Sequence, residues 1–220
     1  VLPKTTEEVS AVLKYCHDTG VKVVPRGAGT SLAGGAIPSE DAVVLGLSKM
    51  NRVLAVNYDD RFIRVEAGVT NLSVTAVVAE NGFFYAPDPS SQLACTIGGN
   101  IANNSGGAHC LKYGVTTNNL LGVRMVLIDG SIIDLGGDYL DSAGLDLLGL
   151  VVGSEGQLGI VTEATLRILK SAEGARPVLF GFPSCEGAGK AVADVIAARI
   201  SPVAIEYLDQ VATEISESGA

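Results

Sequence analysis

The sequence is short of positive charge, of histidine and of metal-ligand spacings, and each shortage excludes something. Its 220 residues carry 15 Lys and Arg against 24 Asp and Glu, a formal charge of −9. That balance excludes a general nucleic-acid binder, whose affinity rests on cations neutralising phosphates. Two His and four scattered Cys (Cys16, Cys95, Cys110, Cys185) contain no CxxC, so no zinc site is expected. The cysteines read as reduced thiols of a cytoplasmic protein. No uninterrupted apolar run approaches the roughly 18 residues of a membrane span, and no signal-peptide pattern is present. The opening Val-Leu-Pro reads as mid-sequence, so residues before it are expected. A hydrophobic content of 47% excludes disorder, and the length suits one large domain or one plus part of another.

What the chain has in excess is glycine. Its 27 glycines are about 12% where roughly 7% is usual. Such density means close backbone approach or many turns at positive φ, and the pattern around the glycines distinguishes the two. Thr5-x-x-Glu8 is a capping box, followed at helical spacing by Val9, Val12, Leu13 and Cys16, with Gly20 as a stop. Strands are expected at 21–25, 42–47, 52–56 and 62–66, the last two forming a hairpin around Tyr58-Asp59-Asp60. A second helix is expected over 71–80. From Ala86 to Gly107 periodicity vanishes into a long loop, which in a compact domain is usually functional. Strands return at 120–128 and 131–135 around an Asp129-Gly130 turn, and at 160–169. Beyond a boundary near 171–177 the pattern gives a strand (178–182), a helix capped by Ser184, a strand (203–207) and a last helix (209–218). The class is α+β, and residues following 220 are expected because this last unit is too small to close a sheet.

Three glycine-rich clusters are almost free of cations. The first, Arg26-Gly-Ala-Gly-Thr-Ser-Leu-Ala-Gly-Gly35, follows a strand but has Leu32 where a Rossmann fingerprint needs its third Gly, and it lacks the Gly-Lys-Ser/Thr of a Walker loop. What remains is a turn of exposed N–H groups able to hold an anion, beside Arg26 and the Thr30 and Ser31 hydroxyls. The second, Pro87 to Gly107, contains no Lys or Arg, and neither does the third, Val152 to Gly159. Neutral donors over bare backbone suit a flat heterocycle with carbonyl edges, and the first cluster supplies one nest for a pyrophosphate. Glu155 lies in a cation-free loop, where its carboxylate is either solvated or accepts from donors such as adenine or backbone N–H groups. His109 follows the second cluster and either faces a bound cofactor or packs near Tyr113. His17 reads as a solvated residue in a helix's last turn, and Cys95 and Cys110 as small buried hydrophobes.

Pro25-Arg-Gly-Ala-Gly-Thr-Ser-Leu-Ala-Gly-Gly35, Thr96-Ile-Gly-Gly-Asn-Ile-Ala-Asn-Asn-Ser-Gly-Gly107, Tyr113-Gly114 and Gly153-Ser-Glu-Gly-Gln-Leu-Gly-Ile-Val-Thr-Glu163 together resemble the FAD-binding domain of the vanillyl-alcohol-oxidase/PCMH-type flavoproteins. Gly107-Ala-His-Cys-Leu-Lys-Tyr-Gly114 is especially similar to the glycolate-oxidase branch, which lies close to D-lactate and D-2-hydroxyglutarate dehydrogenases. The resemblance implies a PCMH-type FAD-binding domain of two α+β subdomains over 1–172, and the beginning of a substrate (cap) domain over 173–220. It implies that Arg26, Gly27, Ala28, Gly29, Thr30, Ser31 and Leu32 wrap the pyrophosphate. Pro87, Asp88, Thr96, Gly98, Gly99, Asn100, Asn103 and Asn104 would line the ribityl chain and flavin, and Glu155, Gly159, Ile160 and Val161 would hold the adenosine side. No His lies between His17 and His109, so the histidyl tether of many relatives is absent and FAD is expected to be noncovalent. The implied reaction is oxidation of a small D-2-hydroxy acid, such as glycolate or D-lactate, by hydride transfer to flavin N5. No catalytic residue is assigned, with His109 the one candidate, and no metal is expected within these residues. A protein or quinone electron acceptor, a hetero- or homo-oligomer, and a cytoplasmic place at the inner membrane through partner subunits complete the implication. The competing readings are a non-catalytic FAD-holding or assembly subunit and an NADPH-using nucleotide-sugar reductase.

Overall fold

Thr5 turns the extended start of the chain into α1 (Thr6–Thr19): its side chain accepts from the Glu8 N–H at 3.2 Å, and Glu8 reaches back to the Lys4 N–H at 2.7 Å. Gly20 ends the helix at φ +70, where its N–H meets the Cys16 and His17 carbonyls. The computed structural model describes residues 1–139 and 144–219. In it β1 (Lys22–Arg26) and β2 (Ala42–Gly46) pair in parallel. The strand expected to be buried at 21–25 is only half-buried.

The main sheet is antiparallel throughout, built from β3 (Val53–Asn57), β4 (Phe62–Glu66), β6 (Leu120–Val126), β7 (Ile132–Gly136) and β8 (Ile160–Arg167) in the order β3-β4-β8-β6-β7. A short pair, β5 (Phe83–Phe84) with β9 (Leu169–Lys170), extends the last long strand past a break at Ile168. One face of the sheet carries Ile63, Val65, Val123, Ala164 and Leu166 into the core. There they meet Val9 and Leu13 of α1, Val74 and Val78 of α2 (Asn71–Val78), and Ile97 and Ile101 of α3 (Ile97–Asn103). The opposite face carries Arg64, Arg124, Asp134 and Glu163, as period-two alternation dictates for a sheet wet on one side. At the end of β4 the nearly buried Glu66 accepts from the Arg52 backbone N–H (2.7 Å) and guanidinium (2.8 Å).

Three expectations need correction. The stretch 86–107 is not all loop, because α3 lies inside it. Glycines and asparagines disguise that helix, and burial of Ile97 and Ile101 one turn apart overrides their poor propensity. The apolar run at 148–152, for which no element was expected, is a helical turn, α5 (Leu147–Val151), capped by Asp146. Segments 178–182 and 203–207 form no strand. A strand exists through the ladder that it joins, and neither segment has one, so Leu179 and Phe180 stand open to solvent. Helices α6 (Cys185–Ala197), capped by Ser184, and α7 (Gln210–Ser218), capped by Asp209, form as expected, and a one-turn α4 (Cys110–Tyr113) that was not expected follows the second cluster. All four cysteines are free thiols.

Candidate functional site

The three glycine clusters converge on one cleft with α3 as its floor. The first loop leaves β1 at Arg26, the third cluster crosses the far end of α3, and a cavity of about 190 Å³ lies between them. Their contacts require glycine. A Cβ at Gly27 would stand 2.5 Å from Thr96 Oγ1, and one at Gly98 would stand 2.9 Å from the Ala67 methyl. The Gly98 N–H bonds the Ala67 carbonyl at 2.8 Å, so α3 is hung on the end of β4. Its other end is held by the third cluster, where the Gly153 and Glu155 N–H groups meet the Ile101 and Ala102 carbonyls at 2.9 and 2.8 Å. Side chains close the remaining side: Ser31 donates to Asn103 Oδ1 (3.0 Å), and Asn103 Nδ2 donates to the Gly99 carbonyl (2.9 Å).

Within this frame the polar groups are spare. Asn100 is 1% exposed, yet its Nδ2 has no hydrogen-bond partner and borders the cleft. A buried amide donor without an acceptor costs on the order of 1–3 kcal/mol unless something fills it. The Cβ direction of Gly99 meets nothing nearer than Thr96 Oγ1 at 3.4 Å, and that of Gly35 nothing nearer than Glu155 at 3.7 Å, so both leave bare backbone facing space. Arg26 and Glu155 are the charged side chains of the lining. Arg26 has no ion pair among the described residues, and its guanidinium folds back over Gly29. Glu155 sits at φ +54, and this left-handed turn aims its carboxylate at the first loop. One free cation, an orphaned amide, hydroxyls and exposed backbone make a fitting donor set for a large, mostly neutral molecule with one anionic waist, such as FAD.

Of the residues expected from sequence, the cleft gathers Arg26, Gly27, Ala28, Gly29, Thr30, Ser31, Thr96, Gly98, Gly99, Asn100, Asn103, Glu155, Gly159, Ile160 and Val161. It does not reach Leu32, whose side chain is fully exposed, nor Pro87, Asp88, Asn104 or His109. Asn104 instead ends α3 at φ +47 and accepts from the Thr117 N–H. Sequence reasoning did not single out Ser91, Ser105 or Ser154, which also line the cleft, and counted Cys95, another lining residue, as core only. No periodicity marks such residues, because loops bring them in. Beneath the floor, burial pushes the Tyr85 hydroxyl well above the ordinary phenol range. It lies beside Thr116, whose own hydroxyl is taken by the Ser105 carbonyl at 2.7 Å.

Comparison with known proteins agrees with this geometry. Residues 1–136 match the family described as FAD binding domain. The chain is 49% identical over 217 residues to glycolate oxidase subunit GlcD of Escherichia coli, covering 99% of this chain and 44% of that protein. It is 44% identical to GlcD of Bacillus subtilis (96% of this chain, 45% of that one) and 40% identical to a D-lactate dehydrogenase of Archaeoglobus fulgidus (99% and 48%). The chain thus spans less than half the length of these relatives. Among solved structures, an alkyldihydroxyacetonephosphate synthase superposes with a TM-score of 0.81 at 26% identity, covering 98% of this chain and 40% of that one.

Proposed function

Because the chain belongs to the FAD-binding domain family, we propose that it is the flavin-holding part of an FAD-dependent oxidoreductase acting on a D-2-hydroxy acid such as glycolate or D-lactate. The observation that carries the reading is the cleft itself, whose lining combines a guanidinium without an ion pair among the described residues, the orphaned Asn100 amide and the bare backbone of Gly99. Arg26 to Ser31 hold the pyrophosphate through backbone N–H groups and one cation. Thr96, Gly98, Gly99, Asn100 and Asn103 face the ribityl chain and flavin ring, with Pro87, Asp88 and Asn104 just behind them. Glu155, Gly159, Ile160 and Val161 take the adenosine side. Neither His17 nor His109 lines the cleft, which suits a noncovalent cofactor.

Bound FAD supplies the acceptor for a hydride leaving the alcohol carbon. The chain's own part is to orient the ring, to exclude water through the apolar Val151, Ile160 and Val161 wall, and to hold the diphosphate. One observation favours the second reading, a flavin-holding subunit whose partner completes the substrate site: apart from Glu155 and the thiol of Cys95, the lining contains no side chain able to take the hydroxyl proton. The FAD unit ends near residue 172, and 173–220 begin a substrate-binding unit. A protein or quinone acceptor and an oligomeric assembly accompany either reading. No described helix is long and apolar enough to cross a membrane, and the proposed location is cytoplasmic, at the inner membrane through partners.

The test is the visible spectrum of the purified protein incubated with FAD and then mixed anaerobically with glycolate or D-lactate. Flavin bands that bleach support the enzyme. Bands that persist support the holding subunit, bleaching by NADPH instead supports a reductase, and absence of bands overturns the proposal.

A further inference from the structure

Just outside the cleft, a single carboxylate grips one residue twice. Asp88 Oδ1 accepts the backbone N–H of His109 at 3.1 Å, and Asp88 Oδ2 lies 3.2 Å from His109 Nδ1. The second contact is close but out of line for a hydrogen bond, so the bond that is formed is the one to the His109 backbone N–H, with the ring packed against the same carboxylate. The two residues are brought together by backbone as well. Gly107 rests on the Asp88 main chain so closely that any Cβ would overlap the Asp88 carbonyl. On the far side the imidazole meets the Tyr113 ring edge-on (6.2 Å between centroids, 83°), and Tyr113 meets Phe84 in the same way (5.6 Å, 75°). Asp88 stands between two buried prolines, and the Pro87 carbonyl is held by the buried Asn71 amide at 3.1 Å.

The imidazole is 32% exposed although its Nδ1 is sealed, so its open side is the Nε2 edge. A ring packed between a carboxylate and an aromatic edge, on a residue whose backbone N–H is bonded to that carboxylate, has its orientation restricted. We propose that His109 is a positioning residue that acts through Asp88. The pair clasps the segment 86–89 to the segment 105–114 and thereby sets where the Ser105 side of the cleft stands relative to a bound flavin. The inference rests on the reading of the cleft as an FAD site and names a residue outside its lining. His109 touches neither cofactor nor substrate in this assignment.

The experiment is a double-mutant cycle of His109→Ala and Asp88→Ala in the full chain, read by FAD dissociation constant, by the flavin's visible band shape, and by amide hydrogen exchange of the FAD-free protein. The expected result is an FAD dissociation constant raised about ten-fold by His109→Ala, which removes the ring from Asp88 and Tyr113 while the backbone bond to Asp88 remains. The same substitution in the Asp88→Ala background adds about two-fold or less, because the effect passes through the carboxylate. The flavin band shape changes in His109→Ala, and exchange quickens in both 86–89 and 105–114. Asp88→Asn, which keeps an acceptor for the His109 N–H, falls between wild type and Asp88→Ala. Additive losses, a His109→Ala protein with wild-type affinity and spectrum, or quickened exchange in one segment alone would overturn the clasp. Failure of the FAD reading is distinct, because wild type then binds no FAD while the exchange coupling between the two segments persists.

Discussion

Two glycines only eight residues apart do opposite work. A Cβ at Gly99, which lines the cleft, would meet no atom outside its own helix nearer than Thr96 Oγ1 at 3.4 Å, whereas one at Gly107 collides with the Asp88 backbone. Gly99→Val is therefore expected to abolish FAD retention while leaving the melting temperature of the FAD-free protein within about 2 °C of wild type, as surface changes do in a domain of this size. Gly107→Ala is expected to lower that melting temperature by about 5 °C or more, through overpacking of roughly 1–3 kcal/mol. Parallel flavin titration and thermal unfolding of the two variants check the pair. Loss of stability in Gly99→Val would return that residue to the packing group. Sequence alone placed both glycines in one cluster, because a glycine required by a cofactor and one required by a neighbouring carbonyl look the same without the backbone that approaches them.

At the level of elements, punctuation was the legible part. Thr5, Gly20, Ser184 and Asp129-Gly130 mark their boundaries in the sequence and act there in the structure, because each effect is local. Helix α3 was illegible because its cause is distant. Gly98, Gly99 and Asn100 are helical since Thr96 caps them and the ends of β4 and the third cluster hold them from outside. The β6–β7 turn offers a local test. The Asp129 carboxyl is kept below the usual range by the Ser131 N–H, at 2.8 Å, and then by the Ser131 hydroxyl, at 3.0 Å. A depressed folded-state value stabilises above the unfolded pKa of about 3.9 and is lost as the pH falls through the folded value. Asp129→Asn is thus expected to flatten the decline of melting temperature between about pH 5 and pH 3, measured against wild type at equal salt. An unchanged acid slope would mean that the turn contributes nothing through this carboxylate.

Across the whole molecule, burial divides the chain near residue 170. Among the described residues the hydrophobic cluster runs from Val9 to Ile168, and beyond residue 170 Ala188 alone is buried. Limited proteolysis of the FAD-loaded protein is expected to cut first within 171–184, where every residue is exposed, leaving a flavin-bearing fragment ending near residue 170. Mass spectrometry of the first products decides this, and early cleavage inside 86–107 would contradict it. The class, the strands of the main sheet and the three glycine-rich stretches that meet at the cleft were readable from sequence. The unpaired segments 178–182 and 203–207 were misread, because alternation reports a strand's preference and not the presence of its neighbour.

The order of the main sheet carries one more consequence. Strand β8 lies between β4 and β6, both of which precede it along the chain by many residues. During synthesis the ribosome therefore releases two facing strand edges long before the strand that joins them. The third cluster, the far wall of the cleft, arrives immediately before that same strand. A nascent chain has no complete nucleotide cleft until its sheet is ready to close, so cofactor capture doubles as a signal that folding of the first 170 residues is finished, and the aggregation-prone interval is the wait for residues 160–167.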